Sequence, residues 1–209
     1  MEQKLDSKVH WENIYTQKNT KEVSWYQPVP QVSLRLINEL KIPKDANIID
    51  VGGGDSVLVD FLLNEGYTNI TVLDISSSAI ENAKNRLGEK AELVTWIVSN
   101  IVDFEPKSEY AFWHDRATFH FLTEPGDIRR YVALLEKSTV PGASVVIGTF
   151  STNGPKKCSG IDIKQYDEES LSGLFQSKFN KIKCFRESHQ TPFGTVQDFL
   201  FCTFVKTNK

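Results

Sequence analysis

The sequence has few of the features that mark secreted, membrane-spanning or nucleic-acid-binding chains. Its 209 residues include only three cysteines, Cys158, Cys184 and Cys202. They are odd in number and widely spaced with no CxxC, so neither a disulfide framework nor a metal or redox pair is expected, and no metal is assigned. No apolar run approaches a membrane span, and the polar start from Met1 through Asp6 to Trp11 lacks the apolar core of a secretory signal. These absences fit a reducing compartment, and a cytoplasmic protein with no membrane partner is expected. The formal net charge is −3, without the surplus of Lys and Arg that phosphate contacts require, so nucleic acid is not expected as a partner. Lys156 and Lys157 read as a solvated loop. Internal repeats, low-complexity tracts and an interdomain linker are also missing.

What is present is the composition of an ordinary globular chain, 40% hydrophobic and 24% charged, long enough for one substantial core. Strand-like runs alternate with helical patterns through the first half, the signature of a parallel sheet with crossover helices. Asn47 to Val51 reads as the first buried strand, followed by a helix over Asp55 to Glu65 that Gly66 stops. Ile70 to Leu73 returns to the sheet. Ser76 to Leu87 is a second crossover helix, with Ser78 and Glu81 as a capping box. Leu93 to Val98 and Tyr110 to His114 are further strands, and Pro125 opens another helix. Pro141 and Gly142 turn the chain into the strand Ala143 to Phe150. Phe179 to Phe185 and Val196 to Val205, joined by a loop containing His189, Thr191, Pro192 and Gly194, suggest an antiparallel pair closing the sheet. Residues 1–46, with Trp11, Tyr15, Trp25 and Tyr26 and a helix after Pro30, are expected to form a helical and aromatic cap in the same domain as the core, 47–209.

The segment Asp50-Val51-Gly52-Gly53-Gly54-Asp55-Ser56 lies between a buried strand and a helix, where glycines permit a tight turn and close approach of a ligand to the backbone. Asp74 follows the second strand about twenty residues later, where a carboxylate can accept hydrogen bonds from both hydroxyls of a ribose. A nucleoside-containing cofactor is therefore expected. The third glycine of a pyrophosphate-binding GxGxxG is replaced by Val57, which weakens an NAD-linked oxidoreductase reading.

DVGGGDS followed by VLDIS resembles the first two motifs of the class I S-adenosylmethionine-dependent methyltransferases. Val98-Ser99-Asn100-Ile101 resembles the third, Trp113-His114-Asp115-Arg116 occupies the position of the fourth, and Val140-Pro141-Gly142 resembles the turn before strand five. The resemblance implies a Rossmann-like, doubly wound α/β fold: a mostly parallel seven-stranded sheet with an antiparallel C-terminal strand and helices on both faces. It implies S-adenosyl-L-methionine as cofactor, with S-adenosyl-L-homocysteine as product. Gly52 and Gly54 would line its methionine part within the turn that includes Gly53, and Asp50 would support that turn. Asp74 would bind the ribose, Ile75 and Ile101 would hold the adenine, and Asn100, where the family commonly carries Asp, would contact the exocyclic amine. His10-Trp11-x-x-x-Tyr15 and Ser24-Trp25-Tyr26-Gln27 resemble the aromatic lead-in of a subgroup that includes protein lysine methyltransferases, and would bring Tyr15 and Trp25 onto the cofactor.

Methyl transfer requires an acceptor lone pair in line with the methyl carbon, and positioning can supply much of the rate. His114 and Asp115, at the carboxyl end of a strand, are the candidates for acceptor positioning or proton removal, with Arg116 available to neutralise Asp115. Neither an Asn-Pro-Pro-Tyr motif nor a Pro-Cys nucleophile is present, so the expected acceptor is a small molecule or a protein side chain. A noncatalytic S-adenosylmethionine-binding module remains the alternative.

Overall fold

The computed structural model describes residues 6–208. Seven strands form one sheet: β1 (Asn47–Val51), β2 (Asn69–Asp74), β3 (Val94–Val98), β4 (Tyr110–Arg116), β5 (Thr139–Phe150), and, after the two-residue ladder β6 (Lys157–Cys158) and β7 (Ile161–Asp162), β8 (Phe179–Gln190) and β9 (Val196–Lys206). Their order is β3-β2-β1-β4-β5-β9-β8. β1 to β5 pair in parallel, while β9 runs antiparallel to both β5 and β8. This is the expected mostly parallel, doubly wound sheet.

Alternation along the central strands divides the core between two faces. Ile49, Val51 and Trp113 meet α5 (Pro125–Ser138) and α6 (Glu168–Phe175) on one side. Ile48, Ile70 and Phe112 meet α2 (Gln31–Glu39), α3 (Leu58–Asn64) and α4 (Ser77–Leu87) on the other. With both faces covered, Ile48 and Ile49 are both wholly buried, which is why β1 reads as a continuous apolar run. Chain order reverses between β1 and β4, so a crevice opens at their carboxyl ends. Ahead of β1, α1 (Ser7–Gln17) packs against α4. Among the described residues no helix is long and apolar enough to cross a membrane.

Four local expectations are corrected. α3 begins at Leu58, not Asp55, because Gly52 and Gly54 adopt left-handed conformations (φ +65° and +50°) and the turn runs on through Ser56. Pro141 and Gly142 form a bulge within β5, where the register slips between the Tyr110 and Phe112 pairings. β8 continues through Gln190, so His189 is a strand residue; it is buried, and its Nε2 donates to the Ser24 carbonyl at 2.7 Å. Finally, Cys184 and Cys202 are direct partners across β8 and β9 and are joined as a disulfide. Spacing along the chain did not suggest that pair because the hairpin turn, not the sequence, brings the two together.

Candidate active site

The carboxyl ends of β1, β2 and β4 and the N-terminal segment enclose a cavity bordered by Gly52, Asp74, Asn100, Thr118, Trp11 and Tyr15. Its floor is the glycine turn. The Gly52 and Gly53 N–H groups both donate to the Leu73 carbonyl, at 2.7 and 3.2 Å, and so tie the turn to β2. A Cβ on Gly52 would lie 1.7 Å from Thr118 Oγ1, and one on Gly54 would lie 2.9 Å from Tyr15 Oη and 3.1 Å from Asp74 Oδ2. Side chains at either position would fill the cavity floor, and the left-handed backbone independently disfavours them.

Asp74 is 5% exposed. Its Oδ1 accepts from the Ser76 N–H at 2.8 Å, yet burial, reinforced by Asp55, Asp50 and Glu12, pushes its carboxyl up to about 7. A buried carboxylate at a cavity wall in an acidic neighbourhood calls for donors, and a ribose diol is a pair of them. Asp55 points the same way at the other end of the turn: it is buried, and its Oδ2 has no hydrogen-bond partner among the described residues. That acidic pocket suits an ammonium group. Ile75 and Ile101 line the large cavity as apolar surfaces, and Asn100 caps the short helix Ile101–Asp103 by accepting the Val102 N–H at 3.3 Å. The residues present thus fit a nucleoside with an amino-acid tail.

Tyr15 and Trp25 also border this cavity, their rings 6.1 Å apart and roughly perpendicular. Trp11 packs edge-on against both Trp25 and Phe121, at 5.6 and 5.1 Å. What seats this aromatic wall is Glu12, which sequence reasoning missed. Its carboxylate accepts from the Ser77 and Ser78 N–H groups at 2.7 and 3.0 Å, and from the hydroxyls of Ser76 and Ser77. Burial alone would raise the carboxyl; the bonds from Ser77 and Ser78 outweigh it and hold it at about 2. Placed at the N-terminus of α4, the charge also meets the positive end of the helix dipole. The expected Ser78–Glu81 capping box is therefore absent: Ser76 is the N-cap, its hydroxyl accepting the Ala79 N–H, while Glu81 pairs with Lys84 on the surface.

His114 and Asp115 are both buried, with every polar side-chain atom engaged. His114 bridges Asp50 Oδ1 through Nδ1 at 2.7 Å and Ser33 Oγ through Nε2 at 2.9 Å, and borders the smaller pocket beside the glycine turn. Asp115 accepts the Thr118 and Phe119 N–H groups through Oδ1, both at 3.1 Å, and the Tyr131 hydroxyl through Oδ2 at 2.7 Å. Burial, offset by these bonds, leaves its carboxyl pushed up to about 6. Asp115 braces the turn after β4, where Ala117 takes a left-handed conformation (φ +68°) and so sends Arg116 and Thr118 to the cavity wall. Arg116 does not neutralise Asp115. Its NH1 donates to the Trp25 carbonyl at 3.2 Å and its guanidinium lies over the Phe199 ring, 4.9 Å from the centroid.

Residues 48–142 match the family described as Methyltransferase domain. The chain is 30% identical over 165 residues to malonyl-[acyl-carrier protein] O-methyltransferase 2 of Ilyobacter polytropus, covering 74% of this chain and 62% of that protein. It is 28% identical over 127 residues to EEF1A lysine methyltransferase 2 of Mus musculus, covering 55% of this chain and 51% of that protein. The chain thus spans roughly half to three-fifths of the length of these curated relatives. The N-methyltransferase NodS of Bradyrhizobium japonicum, solved with S-adenosyl-L-homocysteine, has the same fold: the TM-score is 0.72 at 13% identity, over 96% of this chain and 99% of that one.

Proposed function

We propose that the chain is a class I S-adenosylmethionine-dependent methyltransferase, a reading supported by the matching methyltransferase family and relatives, and that it binds S-adenosylmethionine across the carboxyl ends of β1, β2 and β3 and passes the methyl group to a small-molecule or protein side-chain acceptor. The observation that carries this reading is the convergence on one cavity of the left-handed glycine turn and the buried, donor-poor Asp74.

In this reading Asp74 accepts the ribose hydroxyls, and Ile75 and Ile101 flank the adenine. Asn100, whose carbonyl oxygen retains a second lone pair, accepts from the exocyclic amine. Gly52, Gly53 and Gly54 let the methionine portion lie against backbone, and Asp50, held by His114, keeps their turn in place. Asp55 receives the ammonium. Tyr15 and Trp25 close over the ligand from α1 and the loop that follows it, excluding water. The bound cofactor supplies an electrophilic methyl carbon on a sulfonium. Since His114 and Asp115 have no uncommitted polar atom, their contribution is positional, and the rate derives from aligning an acceptor lone pair in a dry site.

The relatives' names specify a carrier-borne malonyl group and a protein lysine, so both acceptor classes are kept. Parallel calorimetric titrations with S-adenosylmethionine, S-adenosylhomocysteine and NAD test the assignment. Selective binding of the first two is expected, followed by transfer of labelled methyl in an acceptor screen. A folded sample that binds neither, or that prefers NAD, would overturn it.

A further inference from the structure

Arg116 borders three cavities at once: the large one over Gly52 and Asp74, the smaller pocket beside the glycine turn, and an outer pocket between the loop leading into α2 and the end of β8. The outer pocket is not bordered by the glycine turn, Asp74 or Asn100, so it lies beyond the cofactor residues. The guanidinium uses one hydrogen bond on the Trp25 carbonyl and rests on Phe199, which leaves most of its N–H donors without a protein acceptor among the described residues.

Among the described residues no carboxylate comes within ion-pair distance of Arg116, whereas Arg35, Arg86, Arg130 and Arg186 each have one. Burial lowers Arg116 to about 10, so it stays cationic at neutral pH. Its surroundings compensate the charge only in part: Asp50 favours the cation from beyond ion-pair distance and is itself engaged by His114, while burial pushes the Cys158 thiol up to about 11 and lowers His120 to about 3. An unpaired cation in a partly desolvated aromatic setting is costly unless a ligand completes it, and a planar fork of donors is matched to a carboxylate.

We propose that Arg116 is the anion-binding group of the acceptor subsite: the methyl acceptor carries a carboxylate that docks on this guanidinium, with its body passing through the outer pocket against Phe199. The inference rests on the methyltransferase reading and narrows it to anionic acceptors. The methionine carboxylate of the cofactor is the competing anion. Against it stand the acidic pair Asp50 and Asp55 at the turn and the opening of Arg116 into a pocket beyond the cofactor residues.

The test uses the intact protein saturated with S-adenosylhomocysteine and titrated with benzoate and with benzamide, which share a ring but differ in charge. Saturable benzoate binding at least about tenfold tighter than benzamide binding is expected, from the loss of a bidentate charge-assisted contact. Arg116→Met should weaken benzoate by about tenfold or more and leave S-adenosylhomocysteine affinity within about threefold, while Arg116→Lys should keep part of the preference. Equal binding of benzoate and benzamide to the parent protein overturns the proposal without recourse to any variant. So does a loss of S-adenosylhomocysteine affinity in Arg116→Met that matches the loss of benzoate. A parent protein that binds no S-adenosylhomocysteine at all fails at the earlier step, and the methyltransferase reading falls with it.

Discussion

Asp50 on β1 and His114 on β4 are register partners in the sheet, and the histidine Nδ1 meets the carboxylate Oδ1 at 2.7 Å. With Nδ1 donating to Asp50, Nε2 accepts the Ser33 hydroxyl, so one imidazole ties α2 to the strand that carries the glycine turn. The position that most resembles a catalytic base in the sequence is thus a strut beneath the site.

His114→Ala is therefore expected to remove both bonds and leave Asp50 buried without its partner. A loss of about 1–3 kcal/mol in unfolding free energy follows, with S-adenosylhomocysteine affinity falling alongside turnover. Denaturant unfolding and calorimetry read the two effects. An unchanged stability with turnover alone abolished would restore His114 as a base.

Asp74 makes binding depend on pH. Its folded, ligand-free pKa is raised from 3.8 to about 7, so the folded state holds an extra proton between those values, and this group's contribution to stability falls as pH rises through that window. In the proposed site, ribose hydroxyls donating to Asp74 would select its ionised form. S-adenosylhomocysteine affinity should rise up to about tenfold per pH unit below about 7 and level off above it. Asp74→Asn should flatten the profile, bind the ligand more weakly, and be more stable than the parent above pH 7 when ligand-free.

Glu12 behaves in the opposite sense. Its folded pKa is lowered from 4.5 to about 2, so its stabilisation is fully present above the unfolded value and is lost as pH falls towards 2. Glu12→Gln should cost on the order of 1 kcal/mol of α1 docking, with salt sensitivity, and weaken cofactor binding about fivefold. Hydrogen exchange in residues 7–17 should quicken while β1 stays protected; unchanged exchange would mean that the latch does not hold the helix.

Gly52→Ala tests the turn. Its Cβ would sit 1.7 Å from Thr118 Oγ1, and the position is left-handed, so ligand binding should be lost in a protein that still folds with reduced stability of about 1–3 kcal/mol. Tight binding by this variant would show that the turn can move without loss of the site.

The division between what was legible and what was not follows sequence distance. β1 and the glycine turn could be read because buried parallel strands are apolar on both faces and left-handed turns need glycine, both local properties. Asp74 could be read because a crossover of fixed length delivers it to the same edge. Glu12 could not, since its partners lie 64 to 66 residues away; the three consecutive serines at 76–78 were the only hint that the start of α4 offers donors. Nor could the partner of Arg116 be read. Its neighbour in sequence is Asp115, but successive strand residues face opposite ways, and the left-handed Ala117 adds a further turn of the chain.

α1 has eleven residues, none of them fully buried, and a helix of that length does not persist on its own in water. Undocking it therefore amounts to melting it. The cavity beneath is guarded by a local folding equilibrium, one that can open while the two-faced core stays intact. Ligand exchange should then follow the fraction of time that α1 spends as coil. Changes to its helical propensity far from every bound atom would retune how long the product stays.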